Sequence, residues 1–393
     1  LSFAVSNNQP GASELAQKIV EFFSEEHELR QVVVALESTS YYGIHIANFL
    51  SSSSLLMPFH PLVYCLNPKI ISNYKKSFIG LGKNDYIDAF VIADFARAGR
   101  ITSSPWRGSQ FLALQRLTRH RLHLAHSLTR EKTYMLSNIF LKFSEFAMVE
   151  PDSQPFANNY GSTAASVLTD FLSTDEISTM PLEELVQYIG QKGKNRFVNP
   201  ERTAELLQKA ARDSYRLDKC LYEPLTISIA SSFNLIRAYE AEMKTVNTAI
   251  VKAVRGLNPN AYNILLSIPG IGPVYAAGIL AEIGYIDAFN SQEALAKYAG
   301  LTWRENQSGR FRADDTTLTK AGNTYLRYYL LEAVSHVKNL DANYAAFYQK
   351  KYDEVKLHQH KRALALTARK FVRLVFGLLA KNQLYSQSRV SQI

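Results

Sequence analysis

Hydrophobic and polar positions divide the chain into stretches of different period. QVVVALE (31–37) is a β-branched run and LVYCLN (62–67) a second, which predicts two buried strands. Positions 13–25, 41–50 and 84–98 repeat with helical period instead. Strand and helix signals thus alternate over 1–104, the order of an α/β domain whose sheet is covered by helices. The chain opens at Leu1, without Met, inside what reads as a strand, so an N-terminal segment is expected to be missing. After Pro105 the strand signals stop. Residues 109–148 read as one long helix, and 151–200, rich in Ser, Asn, Gly and Pro, as loops and short helices. Over 220–254 a heptad seam runs through Ile229, Ile236, Met243 and Ile250 beside Ser232, Tyr239, Val246 and Ala253. Such a seam serves either an intramolecular helical hairpin or a dimer contact. Residues 260–340 form a helical segment around two glycine-marked turns, and a last helix covers about 357–382. The apolar stretch ILLSIPGIGPVYAAGILAEIGYI is broken by Pro269, Pro273 and glycines, so it predicts two helices and a turn, not a membrane span.

Charge adds a partner to this picture. The 393 residues carry a net charge of +9, which suits a polyanion, nucleic acid before membrane. The surplus is concentrated. Residues 101–132 hold six Lys/Arg against one acid, and 350–373 hold eight against two. Arg116, Arg119 and Arg121 on the first of these helices, and Lys361, Arg362 and Arg369 on the second, are candidate backbone contacts. His120, His123 and His126 do not share one helical face and so do not suggest a metal site. Cys65 and Cys220 have no metal-ligand spacing and fit a reducing, cytoplasmic setting.

The candidate chemistry is acidic. Glu37 ends the strand VVVALE, where open α/β sheets present ligand-binding groups. Asp85 and Asp88 begin a helix and share one of its faces. Two carboxylates that close require a cation between them or a lysine nearby. A hard cation such as Mg²⁺ takes carboxylate oxygens, and a pair of metals activates nucleophile and leaving oxygen at phosphate. The competing explanation is that acids at a helix start only cap it and favour its dipole.

These residues carry a resemblance. ALESTSYYG, NPK and GKNDYIDAFVIADFAR resemble the RuvC-like domain of DEDD insertion-sequence transposases, relatives of the pilin-gene invertase. SIPGIGPVYAAGILAEIG, GLTWRENQSGRFR and LTKAGNTYLRYYLLEAV resemble later segments of that family, in the same order. The resemblance implies that Glu37, Asp85 and Asp88 are the second to fourth members of an acidic tetrad binding Mg²⁺ or Mn²⁺. Its first Asp has no counterpart here. Asn84 stands for the usual Thr and Trp303 for the usual Pro. The resemblance further implies that Ser308 is a nucleophile. It implies a structured guide RNA encoded with the element, DNA as donor and target, and a homo-oligomer, dimer or tetramer, in which the acids of one subunit meet the serine of another.

Around Ser308, Arg304, Arg310 and Arg312 are candidate phosphate contacts. Gly270 and Gly272 in PGIGP read either as a helix-hairpin-helix turn against DNA phosphate or as a tight turn between packed helices. Lys320 and Asn323 lie at a helix start and are further backbone-contact candidates. The expected architecture is a RuvC/RNase H-like α/β domain over 1–104, a helical, coiled-coil middle over 105–255, and an all-α transposase domain over 256–393. The expected function is transposition by cutting and rejoining DNA. The alternatives are a Holliday-junction nuclease that uses water and a non-catalytic helix-hairpin-helix DNA-binding protein.

Overall fold

The β-branched run of the first stretch does form a strand, β1 (Val33–Glu37), and the second forms β2 (Leu62–Leu66). They pair in parallel, Val33 opposite Leu62 and Glu37 opposite Leu66. This computed structural model describes residues 2–25, 31–38, 40–82, 84–101, 105–147, 154–303, 307–308, 311–312 and 317–386. Helix α1 (Gln9–Glu25) precedes the sheet, α2 (Ile44–Ser52) joins its strands, and α3 (Pro68–Lys75) and α4 (Asp85–Arg97) follow. α1 begins four residues earlier than its apolar period, because Asn8 Oδ1 accepts from Gly11 N and Pro10 suits a first turn. Residues 2–6, expected as a strand, form no regular element.

Side chains alternate across the sheet. Val34, Leu36, Val63 and Cys65 pack with Ala16, Ala47 and Leu50 of α1 and α2. Ala35, Tyr64 and Leu66 pack on the opposite face with Ile87, Val91 and Phe95 of α4. The strand period sets Glu37 on this second face.

Helix α5 (Ser109–Lys142) stops six residues short of the expected end, because Phe143, Ser144 and Phe146 are buried in turns. The stretch to 200 holds short helices between loops, as its composition predicts: α6 (Ser162–Asp170), α7 (Thr174–Thr179) and α8 (Leu182–Lys192), then α9 (Pro200–Asp213). They share a core with α5 and α10 (Lys219–Leu257) built on Met135, Ile139, Leu168, Leu185, Leu207 and Ile236. The heptad seam is filled from within the chain. Ile229, Ser232, Ile236 and Val246 are buried, and Arg121–Asn247 at 2.8 Å and Lys132–Glu240 at 3.0 Å tie α5 to α10 as antiparallel neighbours. Of the two meanings a heptad carries, this is the hairpin; the pattern is the same whichever helix fills it.

The remaining helices are α11 (Pro259–Leu266), α12 (Pro273–Ile283), α13 (Gln292–Ala299), α14 (Thr324–Leu340), α15 (Ala342–Asp353) and α16 (Gln359–Ala380). A two-residue hairpin, β3 (Gln307–Ser308) with β4 (Phe311–Arg312), lies between α13 and α14. Leu1–Thr118 together with Ile250–Ile393 make one compact unit, and Arg119–Ala249 make another. The chain passes between the units on two uninterrupted helices, α5 and α10. Within the first unit Arg107 Nη1 and Gln115 Nε2 donate to the carbonyls of Glu282 and Ala281, at 2.9 and 3.0 Å, and Tyr329 donates to Thr118 O at 2.7 Å. Among the described residues no helix is long and apolar enough to cross a membrane.

Candidate active site

Glu37 is half-buried at the last position of β1, on the face along which α4 packs. Asp85 is exposed and Asp88 half-buried in the first turn of that helix. Neither aspartate caps it. The cap is Asn84, whose Oδ1 accepts from Ile87 N at 2.8 Å. Asn84 thus supplies what the more usual Thr supplies, so neither aspartate is needed as the cap, while both still favour the helix dipole from its first turn. Asp94, further along α4, is a structural acid. The Tyr74 hydroxyl at 2.7 Å and the Arg97 guanidinium hold its carboxyl below the usual carboxylate range.

Asp88 has a positive partner in Lys75, from the end of α3. Its Nζ lies 2.5 Å from Asp88 Oδ1. Among the described residues no three His, Cys, Asp or Glu side chains converge as a metal-binding group. Lys75 offsets part of the negative charge at Asp88. The donors suit a hard divalent ion in kind, all being carboxylates.

Ser308 is described through its backbone, paired with Phe311 in the β3–β4 hairpin; Arg312 pairs with Gln307. Arg304 and Arg310 lie outside the described residues. The hairpin rises from a clamped base: Trp303 bridges to Leu318, Thr319 N donates to Thr302 O at 2.8 Å, and the two threonine hydroxyls are 3.1 Å apart. Lys320 is exposed, with φ of 50°. Asn323 is spent inside the protein. It caps α14 through Tyr325 N and Leu326 N, and its amide nitrogen reaches Glu282 and Tyr298. That is a different use from the backbone contact its position suggests.

The two glycines of PGIGP differ. Gly270 has φ of 91°, and a Cβ there would lie 2.8 Å from Val337 N, so packing against α14 accounts for it. Gly272, at the start of α12, faces open space. Of the basic candidates, Arg116 is exposed and lies over the Tyr41 ring at 4.5 Å. Lys361 is exposed. Arg121 is bound to Asn247, Arg362 to Glu354 at 3.0 Å, and Arg369 lies 3.7 Å from Glu293. Arg119 is half-buried.

Sequence reasoning missed Lys75, Arg107 and Glu282. Glu282 had a signal, a lone acid inside the apolar run AAGILAEIG. Lys75 had only its neighbourhood, since nothing in the chain marks which lysine meets a distant aspartate.

Residues 1–142 match a transposase profile of the IS110 DEDD type, and residues 262–349 match the transposase IS116/IS110/IS902 family. The protein is a DNA transposase, an enzyme that cuts and rejoins DNA. The two matches jointly span more than half of the chain, and it belongs to the IS116/IS110/IS902 family of insertion-sequence transposases. An uncharacterized 42 kDa protein of insertion element IS900 from Mycobacterium paratuberculosis is 25% identical over 323 residues, 79% of this chain and 74% of that one. A 44.8 kDa protein of IS116 from Streptomyces clavuligerus is 22% identical over 324 residues, 81% of this chain and 76% of its own. The transposase for insertion sequence IS1111A from Coxiella burnetii is 26% identical over 174 residues, 43% of each chain. The DEDD class implies a divalent metal ion.

Proposed function

We propose that this transposase works through a RuvC-like α/β site in which Glu37, Asp85 and Asp88 hold Mg²⁺ or Mn²⁺, together with Ser308 as nucleophile. The observation that carries the reading is the helix start at Asn84. With Asn84 capping α4, neither acid of its first turn is used as the cap, and both begin the helix that packs on the face of the sheet to which Glu37 at the end of β1 belongs. A divalent ion bound there would neutralise charge building up on a phosphodiester and lower the pKa of an attacking hydroxyl. The protein's own groups do the rest. Arg312 and its neighbours in the chain offer countercharge to phosphate. Ser308 Oγ, losing its proton, bonds to phosphorus as a deoxyribose oxygen leaves and takes up a proton. The bond energy is then kept in a phosphoserine link until a second strand's hydroxyl reverses the step. Hydrolysis by water would not conserve it, which is why strand exchange favours the serine.

The basic stretches on α5 and α16 suit a structured RNA as well as DNA, and we assign to them the guide RNA implied by the family. The working form is a homo-oligomer, dimer or tetramer, acting in the cytosol. The test is a denaturing gel of end-labelled DNA with purified protein and RNA, with and without Mg²⁺. Wild-type protein retains label, whereas Ser308→Ala protein binds nucleic acid and retains none. Metal-dependent cleavage that never leaves label on the protein would favour a water-using nuclease. Binding without cleavage in either condition would favour a DNA-binding module.

A further inference from the structure

Glu282 is completely buried, in the last turn of α12, and the reaction as described gives it no task. A carboxylate without exposure is costly unless hydrogen bonds receive it. Its Oε2 accepts from Asn323 Nδ2 at 2.7 Å. The same nitrogen donates to the Tyr298 hydroxyl at 3.1 Å, while Asn323 Oδ1 accepts from Tyr325 N and Leu326 N, both at 3.0 Å. The backbone N–H of Asn323 donates to Tyr298 O at 2.6 Å. One amide thus ties α12, the end of α13 and the start of α14 together. Its orientation is held from both ends: the oxygen faces the N–H groups of α14, and the nitrogen is received by Glu282, the shorter and charged contact, and by the Tyr298 hydroxyl.

The segment between Tyr298 and Asn323 is the one that carries Ser308. Its two stems are pressed together at this point. Gly322 has φ of 152°, and a Cβ there would lie 2.4 Å from Tyr298 O. Arg327 Nη1 crosses the stems, donating to Ala299 O and Lys320 O at 3.1 Å each. The turn of α12 that bears Glu282 is also the one Arg107 and Gln115 grip, from the segment that follows the α/β part.

We propose that Glu282 is a positioning residue for the Ser308 hairpin: by orienting Asn323 it fixes the register of the hairpin's two stems, without itself touching DNA. The proposal rests on the serine reading above. A serine displaced by about 1 Å loses on the order of a hundredfold in rate, whereas affinity for DNA, spread over many phosphate contacts, does not follow.

The experiment exchanges donor and acceptor. Asn323→Asp keeps a good cap for α14 but sets two carboxyl groups against each other. Glu282→Gln combined with Asn323→Asp restores a donor–acceptor pair with the roles reversed. The first-order rate of protein–DNA adduct formation is measured at saturating DNA, well below each protein's melting temperature, beside DNA affinity. The expected result for Asn323→Asp is a rate lower by about a hundredfold with affinity within about twofold. The double variant regains most of the rate, and Glu282→Gln alone, which keeps an acceptor, loses only severalfold. A wild-type rate for Asn323→Asp, a rate that falls only in step with affinity, or a double variant no faster than the single one overturns the proposal. Ser308→Ala in the same assay reports separately: if it still forms adduct, the serine reading fails whatever the Glu282 variants do.

Discussion

An ammonium 2.5 Å from a carboxylate competes with any other cation that the carboxylate would bind. Lys75 is such a competitor at Asp88. If Asp88 is a metal ligand, Lys75→Ala lowers the Mg²⁺ or Mn²⁺ concentration for half-maximal cleavage by up to about fivefold, the worth of a partly exposed ion pair. An unchanged or higher metal requirement would remove Asp88 from the ligand set. A second lysine has a purely structural place. Lys142 is 3% exposed, and its Nζ donates to Leu168 O, Phe171 O and Thr226 Oγ1 at 2.8, 2.8 and 2.6 Å. Burial pushes its pKa down to about 8 from 10.5, against a smaller opposing pull from Glu176. The unfolded chain therefore binds more protons between these values, so stability rises with pH across that window and the gain is lost as pH falls through about 8. The phenols of half-buried Tyr188 and buried Tyr344, whose pKa values are raised, oppose this only above about pH 10. Thermal melting between about pH 7.5 and 9.5 should show wild-type protein gaining on Lys142→Met. A constant gap between the two proteins would mean that Lys142 does not titrate in this range.

Elements differ in how far the sequence announced them. β1 and β2 were legible because β-branched runs have few other uses, and Glu37 with them, since a strand's last residue needs no tertiary knowledge. Asp85 and Asp88 were legible as a pair, but the neighbour that settles their capping role, Asn84, had to be seen making its bond to Ile87. The heptad in α10 was legible as a seam and silent about its partner. The helices α6 to α8 were legible as short helices among loops but not in their bounds, because Ser, Asn and Gly mark loops by local preference while the core that Leu168, Ile177 and Leu185 share is a tertiary matter. Asn323 misled because an amide at a helix start serves a phosphate and a cap equally well. The turn before α12 offers a test at this scale. Gly270→Ala meets Val337 at a φ of 91° and should cost about 1–3 kcal/mol, read as a lower melting temperature. Gly272→Ala, in open space, should leave melting unchanged and weaken DNA binding only if the turn meets phosphate. Equal melting for both proteins would contradict the packing described for Gly270.

Over the whole molecule the surplus of nine positive charges makes nucleic-acid affinity salt-dependent. Each phosphate contact contributes about −0.7 to −0.9 to the log–log slope, so replacing exposed Lys361 or Arg116 by Ala should flatten it by about one contact's share. A slope that stays put exonerates that residue. Purified protein that recombines DNA at full rate after ribonuclease treatment would exclude the guide RNA. The division of the chain has a consequence for synthesis on the ribosome. The unit formed by Arg119–Ala249 is complete once residue 249 of the 393 has been added, whereas the unit holding the carboxylates waits for Ile250–Ile393. Nascent chains ordinarily complete their first domain first; here the inserted one is ready while its host is half-made. A message broken before α11 yields a product with the acids and without the serine hairpin. With Ser308 as the proposed nucleophile, such a fragment is expected to exchange no strands, and the capacity to recombine is expected only of a chain translated through α14.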